Sequence, residues 1–282
     1  MKMLDDLLGW LHPPYNNIDP RTNEWFLLSG AGPITIILVA YIYICTSAGE
    51  RYMKDKQPYD LRKILIVYNF IQILISIYIF KEGLMAGWLY DFSYTCQPND
   101  YSESESAMRI ARACHSYFLV KLFELLDTLF FVLRKKQRQI TFLHLYHHTV
   151  MLLSTWVGTR YFSGTLHLTF LGLANSFVHI IMYGYYMLTA FGPEMQKSLM
   201  AWKKYLTIMQ IVQFGAVGIH AAQIFFIECD VSKLLATLVC LNSIIFIYLF
   251  SSFYIQNYCK SDTNHVRNTS SSKTGYTSKK SE

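Results

Sequence analysis

The chain has 282 residues, of which 52% are hydrophobic and only 16% are charged. This balance excludes an ordinary soluble domain and indicates an all-α polytopic membrane protein. The formal net charge of +6 arises mainly from cations in a few connections, so it reflects membrane topology and gives no reason to expect nucleic-acid binding.

Seven apolar runs predict seven transmembrane helices, since about 20 residues cross a hydrocarbon core. Their ranges are 30–45, 64–80, 114–133, 140–157, 167–190, 205–227 and 234–254. The segment before the first run contains Asp5, Asp6 and Trp10, where a cleavable signal would have a basic start and an apolar stretch, so we expect no signal peptide.

Cations cluster after the first, third and fifth predicted spans. These clusters are Arg51, Lys54, Lys56, Arg62 and Lys63; Arg134, Lys135, Lys136 and Arg138; and Lys197, Lys203 and Lys204. By the positive-inside rule, the amino terminus is predicted to be lumenal and the carboxyl terminus cytosolic.

Two cysteines, Cys96 and Cys229, lie in connections assigned to the lumen. They form either a disulfide or two unpaired thiols, since the proximity of the loops is not visible in the sequence.

After a membrane domain of residues 1–258, the polar segment 259–282 is expected to be a disordered cytosolic tail. Its Lys279-Lys280 pair matches a dilysine retrieval signal of the endoplasmic reticulum; the alternative is a solvated basic tail.

Four consecutive spans, the third to the sixth, carry polar side chains at helical spacing. The four sets are Lys121, Glu124, Asp127 and Thr128; His144, His147 and His148; Asn175, His179, Tyr183 and Tyr186; and Thr207, Gln210 and Gln213. Three charges on one span would together cost about 10 kcal/mol in lipid, so these faces are predicted to surround a polar cavity. Hydrogen bonds that only hold helices together are the alternative.

The depth of this polar centre follows from the ends of the spans. Asp127 lies about 10 Å above the cytosolic end of the third span at 1.5 Å per residue, and the histidine cluster opens the fourth span from the same face. The centre is therefore predicted to lie in the cytosolic half of the membrane, with an apolar half beyond it that can hold a hydrophobic tail.

These motifs, in this order, resemble the ELO family of very-long-chain fatty acid elongases. The resemblance rests on four segments in all: Lys121-x-x-Glu124-x-x-Asp127-Thr128; His144-x-x-His147-His148; Asn175-x-x-x-His179-x-x-Met182-Tyr183; and Thr207-x-x-Gln210-x-x-Gln213-Phe214. It extends over all seven spans, and the motifs show no departure from the family pattern.

The resemblance implies a 3-oxoacyl-CoA synthase of the endoplasmic reticulum membrane that condenses a long-chain acyl-CoA with malonyl-CoA. It implies no cofactor beyond these substrates. It also implies a fold in which the second to seventh spans form a six-helix inverted barrel around a narrow acyl tunnel, with the first span outside. The expected partners are the lipid bilayer, the ketoacyl-CoA reductase, dehydratase and enoyl-CoA reductase that complete the cycle, and a possible second copy of the chain.

By the same resemblance, His147 is the expected acylated nucleophile, with His144 and His148 handling protons. An imidazole nitrogen attacks a thioester, and the acyl-imidazole is itself a good acyl donor. His179 is expected to act on the malonyl side. Substrate contacts are expected from a wider set: Lys121, Glu124, Asp127, Asn175, Tyr183, Tyr186, Gln210 and Gln213.

The basic residues Arg134, Lys135 and Lys136 predict either a site for CoA phosphates or topology determinants at a helix end.

Two other functions are alternatives for the whole chain. A membrane di-iron desaturase or hydroxylase also uses His-x-x-His-His, but it needs about eight histidines, and five of the nine here lie outside any such motif. A non-enzymatic seven-helix receptor or transporter gives no reason for three clustered histidines beside two acids.

Overall fold

The computed structural model describes residues 18–259, so the tail with Lys279 and Lys280 lies outside the described residues. Within this range the chain is helical with turns and contains no strand. We number its helices α1 (Ala31–Tyr43), α2 (Gly49–Met53), α3 (Arg62–Gly83), α4 (Glu105–Phe123), α5 (Leu126–Leu133), α6 (Phe142–Tyr161), α7 (Thr169–Ala190), α8 (Pro193–Leu199), α9 (Lys203–Ala222) and α10 (Lys233–Tyr254).

Three π-helical turns extend or join these helices. Ile44–Ala48 joins α1 to α2, Leu84–Trp88 extends α3, and Ile255–Cys259 extends α10. The last of these turns ends at Cys259, which is the first residue of the segment predicted to be the tail. Short polar side chains begin three helices, because the hydroxyls of Ser104, Thr141 and Ser232 accept hydrogen bonds from backbone amides in the first turns of α4, α6 and α10.

Five helical segments are long and apolar enough to cross a membrane, and the predicted all-α multi-pass character is confirmed for the described residues. They are Ala31–Met53, Arg62–Trp88, Leu166–Ala190, Pro193–Phe225 and Lys233–Cys259. The two other predicted spans correspond to α4 with α5 and to α6. These helices carry the charged and histidine motifs, which lower their mean hydropathy.

The third predicted span differs from its expected form in two ways. Its helix begins at Glu105, nine residues before the predicted start, because Ser104 caps it there. It is also divided, since α4 ends at Phe123 and α5 begins at Leu126, with a turn at Glu124 and Leu125. The break falls at the acidic residue of the polar motif.

Helix α7 is the element with the most helical neighbours in the bundle that carries the polar motifs. It packs along α3 and also contacts α4 and α9. Helix α10 packs along α9 and contacts α6, while α6 packs against α4 and α4 against α3. The helices that carry the polar motifs are thus neighbours, so their polar faces can meet.

Helices α1 and α2 lie against α4, α5 and α6. Leu28, Ile34 and Tyr41 pack in one buried cluster with Leu152 and Trp156. Gly49, at the start of α2, approaches α5 so closely that an added Cβ would lie 2.6 Å from Val132 Cγ1. The first membrane helix therefore makes a close contact beside the polar motif of the third span.

The connections between α3 and α4 and between α9 and α10 are joined covalently. Cys96 and Cys229 form a disulfide with Cα atoms 5.8 Å apart. Gln223 Nε2 donates to Tyr94 O at 3.0 Å, and Asn99 donates to the carbonyl of Asp230. Both connections therefore lie at one end of the bundle.

The segment before α1 contains a buried ion pair, Asp19 and Arg21, and both side chains also hydrogen bond to the same end of the bundle. Arg21 donates to both carboxylate oxygens of Asp19, with the shortest N–O distance 2.7 Å, and Ser163 also donates to this carboxylate. Arg21 Nη1 further donates to Ser102 O at 2.7 Å. Burial alone would raise the pKa of Asp19, but these hydrogen bonds outweigh burial and hold the pKa below its usual value.

This depressed pKa predicts a pH-dependent contribution to stability. A carboxylate with a lowered pKa in the folded state stabilises the fold above its unfolded pKa, about 3.9, and the contribution is lost as the pH falls through the folded pKa. We expect the melting temperature of the wild type in detergent to fall between about pH 5 and 3 by roughly 2–4 °C more than that of Asp19→Asn. Asp91→Asn, at an exposed aspartate, is the control. Parallel pH curves for the wild type and Asp19→Asn would contradict this account of the ion pair.

Candidate functional site

The site is built around an ion pair at the break between α4 and α5. Lys121 Nζ lies 2.9 and 3.1 Å from the two carboxylate oxygens of Glu124, and the side chains are only 2% and 1% exposed. Lys121 Nζ also donates to Asn175 Oδ1 of α7 at 2.7 Å. Two charges are thus compensated inside the helical bundle, which is the requirement for placing them there.

Glu124 also orients the histidine of α7. His179 Nδ1 lies 3.1 Å from Glu124 Oε1. The carboxylate, paired with an ammonium group, can only accept a hydrogen bond, so Nδ1 of the imidazole carries a proton. In the neutral ring Nε2 is then the unprotonated nitrogen, which is the form that a general base needs.

Asn175 is held by two donors at once. Its Oδ1 accepts from Lys121 and from the hydroxyl of Tyr117, each at 2.7 Å. Because both neighbours donate, the side-chain amide is oriented with its oxygen toward them and its NH2 group as the remaining donor. Such a donor is suited to a developing negative charge on a substrate oxygen.

The network is packed between helices α3, α4 and α7. The side chains that surround this region are, in full, Ser76, Ile79, Tyr117, Val120, Lys121, Glu124, Asn175, Ser176 and His179. The gaps between them are too narrow to hold a water molecule, so the network is a close contact among three helices.

A second polar chain joins α3, α5 and α7. The hydroxyl of Tyr183 donates to Asp127 Oδ2 at 2.9 Å. Gln72 Nε2 lies 3.5 Å from the Tyr183 hydroxyl and 2.9 Å from that of Tyr68. The ring of Tyr183 is also 5.5 Å from that of His179, which connects this chain to the first network.

The three histidines of α6 lie side by side. The ring centroids of His144 and His148 are 4.4 Å apart, and those of His147 and His148 are 5.4 Å apart. Thr128 Oγ1 is hydrogen bonded to His144 Nε2 at 2.8 Å, while the ring of His147 contacts Phe246 of α10 at 5.3 Å.

The histidine cluster adjoins the ion-pair network through the third span. Thr128, which is hydrogen bonded to His144 Nε2, lies one helical turn after Glu124, and Glu124 contacts His179. The predicted convergence of the polar faces of the third, fourth and fifth spans is thus visible in these contacts. The region contains the histidine cluster, a further imidazole whose Nε2 is free in the neutral ring, and several hydrogen-bond donors.

Other predicted site residues lie at the edge of this group or beyond it. Tyr186 is 42% exposed and its ring centroid is 6.1 Å from that of Tyr183, while Gln210 of α9 contacts Met182 Sδ at 3.6 Å. Gln213 is buried on the same helix as Gln210. The basic stretch lies at the end of α5, where Arg134 is half-buried, Lys136 is exposed and Lys135 Nζ donates to Lys54 O at 3.1 Å.

Several partners of the site were not predicted from the sequence. Tyr68, Gln72 and Ser76 of α3 are buried at intervals of four residues. This spacing places them on one helix face and is a signal that was available in the sequence. Tyr117 and Tyr41 had no such signal, because single tyrosines in apolar helices are common.

No group of three or more histidine, cysteine or acidic side chains in the described part of the chain is arranged to hold a metal ion.

Comparison with known proteins assigns the chain to a family. The model of the GNS1/SUR4 (ELO) family matches residues 26–266. The chain belongs to the ELO family. It is similar to the very long chain fatty acid elongase 7 of Rattus norvegicus, with 44% identity over 86% of both chains, and to that of Drosophila melanogaster, with 42% identity over 90% of this chain and 77% of the relative. A very long chain fatty acid elongase of Aedes aegypti is 43% identical over 85% of this chain and 67% of its own length.

The ion pair of this ELO family member can be tested by removing one charge or both. Lys121→Met leaves the buried charge of Glu124 without its cation, with the hydrogen bond from His179 as its remaining partner, so we expect it to lower the free energy of unfolding by about 3–5 kcal/mol. The double variant Lys121→Met/Glu124→Gln should recover part of that loss, because no bare charge remains. Unfolding in detergent measures both, and Lys81→Met, at an exposed lysine, is the control. A double variant less stable than Lys121→Met alone would contradict the pairing.

Proposed function

We propose that this protein is a fatty acid elongase that condenses a long-chain acyl-CoA with malonyl-CoA, giving 3-oxoacyl-CoA, carbon dioxide and CoA. Membership of the ELO family and the elongase relatives support the function and the 3-oxoacyl-CoA synthase step. The observation that carries the mechanism is that both histidine groups contact one span: Thr128 is hydrogen bonded to His144 of the cluster, and Glu124, one helical turn earlier, contacts His179.

The packing of helices supports a six-helix barrel with α1 outside it. Neighbour contacts run from α3 to α4, α6, α10, α9 and α7 and return to α3. One three-helix unit is α3, α4 with α5, and α6, and the other is α7, α9 and α10. The first helices of the two units, α3 and α7, contact each other, and so do their third helices, α6 and α10. An inverted pair of three-helix units has this arrangement. The interior of such a barrel is the proposed acyl tunnel.

Acyl transfer to the enzyme is the first proposed step. A neutral ring nitrogen of His147 attacks the thioester carbonyl, the C–S bond breaks, and the proton lost by the imidazole leaves with the CoA thiolate. His148 and His144, which line up beside His147, handle this proton and fix the rings. Phe246 packs on His147 and limits its motion.

Condensation is the second proposed step. Malonyl-CoA loses carbon dioxide, and the resulting carbanion attacks the acyl carbonyl as the bond to His147 breaks. The departing ring nitrogen takes a proton delivered from solvent through His148, which returns a neutral imidazole. The developing oxyanion and the malonyl carboxylate need donors, for which the NH2 group of Asn175 and the hydroxyl of Tyr183 are suited. His179 acts on the malonyl side through Nε2, since Glu124 holds the proton on Nδ1. Lys121 and Asp127 keep these groups in place.

Substrate recognition outside the reacting centre is proposed for two regions. Arg134, Lys135 and Lys136 lie at the end of α5 and offer cations for the CoA phosphates. Gln210, Gln213 and Tyr186 lie on α7 and α9 and are assigned to the acyl or malonyl portion by their place in the family motifs. No cofactor is proposed beyond the two CoA substrates.

We place the enzyme in the endoplasmic reticulum membrane, with a lumenal amino terminus and a cytosolic carboxyl terminus. The distribution of cations supports this orientation, and a disulfide between Cys96 and Cys229 fits an oxidising lumen. The reductases and the dehydratase that complete the cycle are the proposed functional partners, and a homodimer is the proposed assembly.

The assignment of His147 predicts the effect of its removal. In detergent-solubilised enzyme, His147→Ala should lower the rate of incorporation of radiolabelled malonyl-CoA by about 1,000-fold or more, as is usual when a covalent nucleophile is lost. His115→Ala is the matched control, because His115 lies outside the site and contacts Phe26 O. Near-normal turnover by a stably folded His147→Ala enzyme would rule out the nucleophile.

The two-step order predicts a burst of CoA. Wild-type enzyme mixed with acyl-CoA alone should release about one CoA per active site, since transfer to His147 does not need malonyl-CoA. His147→Ala should release none. Release of CoA only after malonyl-CoA is added would indicate direct condensation instead.

A further inference from the structure

A chain of two hydrogen bonds connects the first membrane helix to the histidine cluster. The hydroxyl of Tyr41 is 2.7 Å from Thr128 Oγ1, which is 2.8 Å from His144 Nε2. Tyr41 and Thr128 are 5% and 0% exposed. Helix α1 otherwise contributes no side chain to the site described above.

We propose that Tyr41 is a positioning residue that sets the tautomer of His144 through Thr128. This inference rests on the proposed function, because His144 takes part in the proposed acyl transfer. It assigns a role in the site to α1, a helix that lies outside the proposed barrel.

The direction of the chain follows from counting protons. Thr128 has one hydroxyl proton and two acceptor lone pairs, so it donates to at most one of its two neighbours. In one arrangement Tyr41 donates to Thr128, and Thr128 donates to His144 Nε2. In the reverse arrangement His144 donates from Nε2 to Thr128, and Thr128 donates to Tyr41. In a third arrangement both neighbours donate to Thr128, and the buried Thr128 proton then has no acceptor among the described residues.

Only the first arrangement gives an acceptor to the hydroxyl protons of both Tyr41 and Thr128. In the described part of the chain, Thr128 is the sole hydrogen-bond partner of the Tyr41 hydroxyl. If the chain ran in reverse, the phenol proton would be buried without an acceptor, which is costly. The favoured direction therefore runs from Tyr41 to His144 and leaves Nε2 as an acceptor and Nδ1 as the protonated nitrogen.

The packing around Tyr41 is suited to holding this direction. The residue lies in the buried cluster with Phe118, Leu125 and Trp156, and the π-helical turn Ile44–Ala48 follows it within one helical turn. π-helical turns often occur at functional positions. Because α2 also presses on α5, which carries Thr128, the two hydroxyls are held together from both helices.

A fixed tautomer of His144 matters for the reaction because the ring lies 4.4 Å from that of His148, the neighbour of His147. We therefore expect kcat to depend on the Tyr41 hydroxyl and KM for acyl-CoA to be independent of it. A lower kcat with an unchanged KM distinguishes a positioning role from a general loss of structure, which would change both.

Removal of the Tyr41 hydroxyl alone is the test. Tyr41→Phe should lower kcat roughly 10-fold with little change in KM, corresponding to the loss of one buried hydrogen bond. Tyr43→Phe, two residues away on an exposed ring, is the control and should match the wild type. Thr128→Val should reduce kcat at least as much. The double variant Tyr41→Phe/Thr128→Val should have the same kcat as Thr128→Val, because the two substitutions break the same series of hydrogen bonds to His144.

A spectroscopic measurement makes the test independent of turnover and of variant stability. In ¹⁵N-histidine spectra of the wild type, with His144 identified by its absence in His144→Gln, we expect the proton on Nδ1. In Tyr41→Phe we expect a mixture of both tautomers.

The wild-type spectrum decides the proposal. A proton on Nε2 of His144, full kcat in Tyr41→Phe, or additive losses in the double variant would each overturn it. Failure of the proposed function is a separate outcome, since it would appear as normal turnover by His147→Ala whatever the tautomer of His144.

Discussion

The buried pair of Lys121 and Glu124 is the interaction on which the rest of the site depends. Two opposite charges within an apolar bundle are tolerated only if their remaining hydrogen-bonding capacity is also used. Here Asn175 accepts from the ammonium and His179 donates to the carboxylate, so the requirement ties α7 to α4. The same carboxylate settles which nitrogen of His179 is free. One electrostatic constraint thus accounts for both helix packing and the form of a proposed base.

The histidines of α6 are held by a different means, namely hydroxyl groups. Thr128 and the proposed donor Tyr41 reach His144 from α5 and α1, while aromatic packing by Phe246 restrains His147 from α10. Neutral rings held by hydroxyls and aromatic rings suit a nucleophile, whereas a carboxylate partner suits a base. The site therefore divides its imidazoles between two environments, which matches the two chemically distinct steps proposed for them.

Much of this arrangement was predictable because its causes are local. Apolar length predicted where helices lie, and helical spacing predicted that Lys121, Glu124 and His179 would share an interior. The break at Glu124 was not predicted, because the polar residues on both sides of it follow one continuous helical spacing. The hydrogen bond between Tyr41 and Thr128 was not predictable either, because only tertiary packing distinguishes Tyr41 from tyrosines that face lipid. The buried residues Tyr68, Gln72 and Ser76, by contrast, recur every four residues, and this helical period is visible in the sequence.

The most direct test of the acyl-imidazole is to locate the acyl group in the wild-type enzyme. Protein exposed briefly to acyl-CoA without malonyl-CoA, then quenched and digested, should yield by mass spectrometry one modified peptide whose fragments place the acyl mass on His147. Subsequent addition of malonyl-CoA should remove the label as 3-oxoacyl-CoA. An acyl group on His179 or on a cysteine, or an unmodified enzyme that still turns over at its full rate, would contradict the mechanism.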